Sequence, residues 1–235
     1  REHGVDWNAL TTVNAANEAH PDEVYRFLRD VCGCRFIQFI PIVERPCVDG
    51  VPSGTEVTER SVSPGGWGRF LIAVFEEWVR RDVGSVFVQQ FDVALANWYG
   101  EPSGLCVHTA TCGGALAMEF NGDVYACDHF VEPAYLRGNV HQTHLAELVA
   151  SREQVDFGSA KQTTLPRYCR KCDVRFACHG GCPKDRSALT PDGEPGLNYL
   201  CPAYKAFFRH VDAPLRRMCA LLREGRAPAE IVADH

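Results

Sequence analysis

The apolar and polar residues of the first hundred positions predict strands and helices in turn. Val5–Val13 alternates well enough for a strand, and Arg35–Val43 is the β-branched and aromatic run typical of a buried strand. Between them, Pro21 opens a stretch with helical spacing that Gly33 ends. A strand, a helix and a strand joined by a long crossover form a βαβ unit, so we expect the two strands to pair in parallel.

A second helix is predicted after the polar loop Arg45–Ser61. Ser63 and Pro64 suit the N-cap and the first helical position. An apolar stripe at i, i+3, i+4 spacing follows, made of Trp67, Phe70, Leu71, Val74, Phe75, Trp78 and Val79. We expect this helix to stop near Gly84 and a short strand to form at Ser85–Phe91.

From about Gly100 onwards the periodic segments shorten, while glycines and cysteines become frequent. Ala115–Cys127 predicts a hairpin that turns at Asn121-Gly122, the pair favoured in a type I′ turn. We expect a short helix around Thr143–Ser151 and a C-terminal helix from about Ala203 that Pro214 kinks or divides. This change in residue pattern and composition predicts a domain boundary near residue 100.

Composition narrows the class of protein. The 235 residues are 46% hydrophobic, which is enough for a sizeable core and one or two domains. A net charge of −6 and a pI of about 5.8 argue against nucleic acid or an anionic membrane as partner. No apolar stretch approaches the roughly 18 to 20 residues that span a bilayer. The twelve cysteines, without a secretory signal, favour a cytoplasmic protein that uses them for metal ligation or catalysis rather than for disulfides.

Eight cysteines of the second region stand where they could ligate metal: Cys106, Cys112, Cys127, Cys169, Cys172, Cys178, Cys182 and Cys201. Sets of four thiolates suit zinc or an iron–sulfur cluster, and spacing alone leaves both open. Two details favour an iron–sulfur cluster over zinc, although neither is decisive. Pro183 follows Cys182, and the gap from Cys112 to Cys127 spans a whole hairpin. We expect a structural role for the other four, Cys32, Cys34, Cys47 and Cys219.

Two cysteine motifs carry a resemblance to a known family. The first motif is C-x5-C-x14-CD, from Cys106 to Asp128. The second is C-x2-C-x5-C-x3-CPKDR, from Cys169 to Arg186, and a last cysteine follows at Cys201. This pattern resembles the SPASM domain of radical S-adenosylmethionine enzymes. The phrases NGDVYACDHFV and HGGCPKDR are similar, more narrowly, to the anaerobic sulfatase-maturating enzymes. The last part of that family's barrel is similar to two further segments, RFIQFIPIVER and SPGGWGRFLIAVFEEW. The resemblance therefore extends from about Val5 to Val211.

The resemblance implies an α/β fold, the C-terminal portion of a partial (β/α)6 TIM-like barrel followed by a cysteine-rich SPASM domain with a β-hairpin and short helices. The expected divisions are the barrel part at 1–99, the SPASM domain at 100–212 and a C-terminal helix or tail at 213–235. The family's Cys-x3-Cys-x2-Cys motif and the first barrel strands are absent from the sequence. We therefore expect the C-terminal part of such an enzyme, unable to generate a radical alone, with S-adenosylmethionine and a third [4Fe–4S] cluster on the missing N-terminal part.

The resemblance also implies two auxiliary [4Fe–4S] clusters with interleaved ligands. Cluster I would take Cys106, Cys112, Cys127 and Cys182, and cluster II would take Cys169, Cys172, Cys178 and Cys201. This split comes from the family alone, since spacing by itself would assign the dense run of four cysteines from Cys169 to Cys182 to one site.

The activity implied is that of an oxidoreductase that converts a sulfatase Cys or Ser into Cα-formylglycine. Asp128 matches the family's proposed base, and we expect burial and a neighbouring anionic cluster to raise its pKa. Ile42 or Val43, at the end of the last barrel strand, would contact the adenine of S-adenosylmethionine. Three histidines lie near cluster cysteines, His108, His129 and His179. A histidine can replace a cysteine as ligand, but with eight cysteines present we expect these three to face solvent or to support the ligands.

The implied partners are a sulfatase polypeptide and an external electron donor or acceptor such as ferredoxin or flavodoxin, with the protein a monomer. Two alternatives stay open. One is a SPASM-type peptide maturase that makes thioether or carbon–carbon crosslinks. The other is a zinc-stabilised binding module without redox chemistry, which metal and sulfide analysis would distinguish.

Overall fold

The fold is that of a computed structural model, which describes residues 3–5, 7–48 and 51–234. Outside the described residues lie Asp6 in the first predicted strand, Asp49 and Gly50 in the predicted polar loop, and the chain ends at 1–2 and 235. Among the described residues, no helix combines the length and apolarity that crossing a membrane requires.

The first region is built on a short parallel sheet with helices packed on one face. Its elements, in chain order, are β1 (Ala9–Val13), α1 (Pro21–Arg26) continuing into a π-helix (Phe27–Val31), β2 (Phe36–Pro41), β3 (Cys47–Val48), β4 (Val51–Pro52), α2 (Pro64–Arg81), β5 (Phe87–Val88) and α3 (Gln89–Tyr99). Strand β2 pairs in parallel with β1 on one side and β5 on the other. The predicted βαβ unit with parallel pairing is confirmed.

Helix α2 forms for the reasons that its sequence suggests. The Ser63 hydroxyl accepts a hydrogen bond from Gly66 N at 2.9 Å, as an N-cap should, and itself donates to Glu18 Oε1 at 2.7 Å. All seven residues of the predicted apolar stripe are buried. The helix ends at Arg81, three residues before Gly84, so its predicted bounds are confirmed.

The strand predicted at Ser85–Phe91 is wrong for most of its length. Only Phe87 and Val88 pair with β2, and Gln89 already begins α3. The Gln90 side chain donates to the Phe39 carbonyl and so ties the helix start to β2. Phe91 is buried against the Trp78 ring at a centroid distance of 5.2 Å. Helical spacing of the buried residues, rather than further strand pairing, gives this segment its core contacts.

The second region contains small antiparallel sheets and short helices. Its elements are β6 (Ala117–Met118), β7 (Asp123–Tyr125), β8 (Leu136–Asn139), α4 (Leu145–Ala150), α5 (Arg152–Thr163), α6 (Arg167–Arg170), α7 (Arg175–Cys178), β9 (Ala188–Leu189) and β10 (Pro195–Leu197). Strand β7 pairs with β6 and with β8, and β9 pairs with β10. The predicted hairpin and the short helix α4 are therefore present.

The hairpin turn is not the predicted type I′. Such a turn needs a positive φ at both central residues, yet His179 is the single non-glycine with positive φ in the described part of the chain. Gly122 N instead donates to Glu119 O, and Gly122 has φ +88°. Glu119 N donates to Asp123 O, which closes a three-residue loop: a type I turn followed by a left-handed glycine.

The C-terminal helix is divided, as predicted, into α8 (Cys201–His210) and α9 (Asp212–Arg223), before a 3₁₀ turn at Pro228–Asp234. Pro214 lacks the N–H that would continue the bonding of α8. Helix α8 packs closely on α2, since a Cβ on Gly68 would lie 3.2 Å from Ala203 Cα. The main hydrophobic core therefore includes C-terminal helices as well as the sheet and α2. The domain bounds at 99 and 212 stay a prediction.

Candidate metal centres

The eight candidate cysteines of the second region form no disulfides. Several of them lie at the ends of helices, strands or turns. Cys106 begins a 3₁₀ turn, Cys127 follows β7, Cys178 ends α7 and Cys201 begins α8. The neighbouring thiols divide into two groups, which we call the first set (Cys106, Cys112, Cys127 and Cys182) and the second set (Cys169, Cys172, Cys178 and Cys201).

The second set surrounds one cavity. All four of its cysteines line it, together with Tyr168, Val174, Arg175, Gly180, Asn198 and Lys205. Burial raises the pKa of Cys178 to about 12, and the nearby thiols of Cys201, Cys169 and Cys172 add to the rise. The pKa of Cys201 is raised to about 11, first by burial and then by Cys169 and Cys172. Cys182, although only four residues after Cys178, does not line this cavity.

The thiols of the first set are also close enough to raise one another's pKa. Burial raises the pKa of Cys182 to about 12, and the Cys106 thiol contributes to the rise. Cys127 also reaches a pKa of about 12, through burial, a hydrogen bond to Asp128 and the Cys182 thiol. Burial raises the pKa of Cys112, with Cys106 adding to it. This is the same division that the family resemblance implied, and ligation itself stays a prediction.

Helix α5 supports the first set. Ser151 caps it by accepting from Gln154 N at 3.3 Å. Gly158 allows the Cys112 segment to lie against the helix, because a Cβ on Gly158 would be 2.2 Å from the Cys112 carbonyl oxygen. Cys112 N in turn donates to Gly158 O at 3.2 Å. Further along α5, Lys161 is 1% exposed and its ammonium donates to the carbonyls of Cys106 and Val107.

A buried asparagine connects the two sets. Asn198 is 2% exposed, and its side-chain amide donates to the Cys182 carbonyl at 3.1 Å. The Asn198 carbonyl accepts from Cys201 N at 2.9 Å, and its side-chain oxygen accepts from Leu200 N. Asn198 therefore holds the start of α8, which carries Cys201, against the segment that carries Cys182.

The donor chemistry fits a thiolate-bound metal centre. Buried thiols with a pKa of 11 to 12 stay protonated at neutral pH, and a bound cation would exchange those protons for metal–thiolate bonds. None of the described residues that line the second-set cavity is a carboxylate. Four soft sulfur donors without hard oxygen donors suit zinc or an iron–sulfur cluster and are unsuited to Mg²⁺ or Ca²⁺.

Asp128 lies beside the first set and is exposed. The Cys127 thiol donates to Asp128 Oδ1 at 3.0 Å, and this hydrogen bond is the main cause that lowers the Asp128 pKa. The expected rise in that pKa is not present here, because the neighbouring sulfur carries a proton to donate. A rise would require the thiol to become a cluster ligand, so it stays a prediction.

The three histidines differ in placement. His129 Nδ1 lies 3.4 Å from Cys182 Sγ, and its ligating atom lies within 4.8 Å of those of Cys127 and Asp128. His108 is buried between the rings of Tyr204 and Phe208, and burial lowers its pKa to about 3. His179 takes a left-handed conformation at the end of α7.

The predicted adenine contacts lie just after β2. Val43 is 5% exposed and belongs to the main core, whereas Ile42 is half-buried. Core packing therefore accounts for Val43, and Ile42 has more of its side chain available to a ligand. Sequence reasoning missed Lys161 altogether, since a lysine in a polar segment is usually a solvated residue.

Comparison with known proteins finds related sequences and structures. The SPASM iron–sulfur cluster-binding domain profile matches residues 111–173. A serine-type anaerobic sulfatase-maturating enzyme of Bacteroides thetaiotaomicron is 47% identical over 99% of this chain and 58% of its own length. One of Klebsiella pneumoniae is 36% identical over 92% of this chain and 51% of its own length.

The structure of native anSMEcpe with bound AdoMet and the Cp18Cys peptide is also similar. It superposes with a TM-score of 0.77 and 25% identity, over 94% of this chain and 60% of that one. The chain thus spans about half to three fifths of the length of these relatives. It is a homologue of the anaerobic sulfatase-maturating enzymes and contains a SPASM iron–sulfur cluster-binding domain.

Proposed function

We propose that this chain is the auxiliary-cluster part of an anaerobic sulfatase maturase, which oxidises a serine of a sulfatase to Cα-formylglycine by radical S-adenosylmethionine chemistry. The single observation that carries the proposal is the division of eight cysteines into two neighbouring sets of four. Serine as the substrate residue is supported by the serine-type relatives at 47% and 36% identity.

The two sets are the proposed ligands of two [4Fe–4S] clusters, the first set holding auxiliary cluster I and the second set auxiliary cluster II. When bound, such clusters supply one-electron acceptance. S-adenosylmethionine and its own [4Fe–4S] cluster would be held mainly by a part of the protein that is not in this sequence. Ile42 is the residue of this chain that we propose for the adenine contact.

The proposed reaction removes two hydrogen atoms from the serine side chain. S-adenosylmethionine, when bound, would supply the radical that abstracts one hydrogen atom from Cβ. Loss of the hydroxyl proton and of one further electron, for which an auxiliary cluster would be the acceptor, would complete the two-electron oxidation of the alcohol to an aldehyde. An external carrier such as ferredoxin or flavodoxin would supply the one electron that radical formation consumes.

Asp128 is the proposed acceptor of the hydroxyl proton. Its carboxylate is exposed, so a substrate can reach it, and it directly follows the first-set residue Cys127. Its position next to Cys127 supports the proposal, because the proton acceptor would then lie beside a ligand of the proposed electron acceptor. His129, adjacent in sequence and close to Cys182 Sγ, is the neighbour able to donate to the sulfur of that ligand.

Metal and sulfide analysis after anaerobic reconstitution tests the proposal. Two [4Fe–4S] clusters correspond to about eight iron and about eight sulfide per chain. That result, with formylglycine formed on a serine-containing sulfatase peptide by the enzyme that contains this chain, would support a maturase. Zinc without sulfide would contradict it, as would clusters in an enzyme that leaves the serine unchanged but crosslinks a peptide.

A further inference from the structure

The three residues between Cys178 and Cys182 form a sharp backbone bridge between the two sets. His179, Gly180 and Gly181 all have left-handed conformations, with φ of +48°, +76° and +62°. This conformation is costly for His179, which has a Cβ, and persists only where the surroundings impose it. The bridge begins at a second-set cysteine and ends at a first-set cysteine, so its geometry determines the separation of the two centres.

Arg186 holds this bridge. Its guanidinium donates to the carbonyl oxygens of all three bridge residues, at 3.2 Å to Gly180, 3.1 Å to His179 and 3.4 Å to Gly181. A fourth bond, of 2.7 Å, goes to the Lys161 carbonyl and ties the bridge to α5. The fit is close, since a Cβ on Gly180 would lie 3.0 Å from Arg186 Nη2.

The charge of Arg186 lies between the two sets. Burial lowers its pKa, and thiols of both sets oppose that effect: Cys169 and Cys178 of the second set, Cys182 and Cys112 of the first. Its four hydrogen bonds to described residues all go to neutral backbone carbonyls, which carry no charge to compensate its own. A positive charge held in a site of low dielectric acts strongly on an anionic neighbour.

Two lysines provide matched comparisons, because each acts mainly on one set. The pKa of Lys161 is lowered to about 8 by burial, with Cys112, Cys106 and Cys182, all of the first set, acting against it. Lys205 lines the second-set cavity and lowers the pKa of Cys169 and Cys201. Its ammonium donates to the Tyr168 hydroxyl at 3.0 Å.

We propose that Arg186 is a positioning residue shared by both centres, which holds the bridge that separates them and raises the reduction potential of both clusters. The inference rests on the proposed function, because it requires two iron–sulfur clusters. A cluster becomes more negative on reduction, so a nearby fixed positive charge stabilises its reduced form and raises its potential. Lys161 would act in the same way on the first-set cluster alone and Lys205 on the second-set cluster alone.

The test is an anaerobic redox titration, monitored by electron paramagnetic resonance, of the reconstituted chain and its variants. Cys182→Ala and Cys201→Ala assign the signals to the two clusters. Arg186→Gln should shift both potentials to more negative values. Lys161→Met should shift only the first-set potential, and Lys205→Met only the second-set potential. Arg186→Lys, which keeps the charge and loses the guanidinium fork, should shift both potentials by less than Arg186→Gln.

The outcomes separate this inference from the proposed function. Normal iron and sulfide content in Arg186→Gln, with one or both potentials unshifted, would overturn the role of Arg186 and leave the maturase proposal intact. Zinc without sulfide in the unmodified chain would overturn both. Should Arg186→Gln fail to assemble clusters, Arg186→Lys decides: shifts of the same sign in both clusters support the inference, and a shift in one alone overturns it.

Discussion

The two regions of this chain are stabilised in different ways. The first is built around large apolar side chains, such as Phe75, Trp78 and Phe91, which contact one another ring to ring at centroid distances of 5.2 to 5.6 Å. Among the described residues, the second has a small buried cluster of its own, in which Leu165, Cys169 and Leu197 are the buried members. Hydrogen bonds to backbone groups, such as those of Asn198 and Arg186, form much of the rest.

The difference shows what each region requires in order to fold. Burial of apolar surface stabilises the sheet, α2 and the C-terminal helices without any ligand. Four neighbouring thiols stabilise nothing until a metal replaces their protons, and the binding free energy is then available for folding. We therefore expect the first region to be stable without metal and the second region to depend on it.

Removal of the metal should affect the second region far more than the first. Without iron, amide hydrogen exchange in α6, α7 and the bridge at 179–181 should become more than tenfold faster, equivalent to above about 1.4 kcal/mol of local opening free energy. Amides of β2 and α2 serve as the internal control and should change less than about twofold. Equal acceleration in both regions would remove the distinction between them.

Replacement of an aromatic ring in the main core should instead destabilise the first region. Phe75→Ala removes a fully buried ring and should lower the free energy of unfolding by about 3–5 kcal/mol. Phe120→Ala, at a fully exposed position on the hairpin, should change it by less than about 0.5 kcal/mol. Chemical denaturation followed by tryptophan fluorescence provides both numbers, and similar losses in the two variants would contradict the assigned core.

Asp128→Asn should abolish most of the activity and leave the clusters in place. In the enzyme that contains this chain, we expect formylglycine formation to fall by about 10²–10⁴-fold, the usual contribution of a general base. Mass spectrometry of a sulfatase peptide measures the product. Asp156→Asn, at an exposed carboxylate near Arg152 on α5, is the matched control and should keep full activity. Full activity in Asp128→Asn would remove Asp128 from the mechanism.

A pH effect is expected from Asp92 in α3. Burial raises its pKa from 3.8 to about 7, so the folded chain retains a proton that the unfolded chain releases. The free energy of unfolding should therefore decrease as pH rises from about 4 to about 7. Asp92→Asn should weaken that decrease and be the more stable form at pH 8, whereas Asp22→Asn, at an exposed carboxylate, should match the unmodified chain. Urea unfolding at pH 5 and pH 8 measures this, and identical slopes in Asp92→Asn and the unmodified chain would contradict it.

The smallest predicted effect is at the α2 cap. Ser63→Ala removes the hydrogen bonds of the Ser63 hydroxyl to Gly66 N and to Glu18 Oε1 and should cost about 1 kcal/mol. Ser53→Ala, at an exposed loop serine, should be neutral within about 0.5 kcal/mol. Denaturant unfolding at one pH is sufficient, and a neutral Ser63→Ala would mean that α2 is stabilised by packing alone.

Sequence periodicity was informative where side-chain burial determines the fold. The α2 stripe, its Ser63 cap and the parallel βαβ unit all follow from local pattern. The boundary between β5 and α3 did not, because the start of α3 is held by hydrogen bonds between Gln90 and the distant Phe39. The turn at Gly122 differed because the loop takes three residues rather than two.

Only part of the candidate site could be predicted from the sequence. Its cysteines are recognisable by residue type, whereas their two groups depend on chain segments far apart in sequence, such as those around Cys112 and Cys182. The sequence did not predict that Lys161 is buried, because its burial results from the Cys106 segment packing on α5. Long-range packing of this kind leaves no periodicity in a single sequence.

The central claim is that eight cysteines form two interleaved sets of four. Cys182→Ala and Cys201→Ala, each reconstituted anaerobically and compared by iron content and Mössbauer spectroscopy, test it most directly. We predict that each variant keeps about four iron in one intact cluster, and that the cluster lost differs between the two. If both substitutions deplete the same cluster, the assignment of Cys182 and Cys201 to separate sets is wrong.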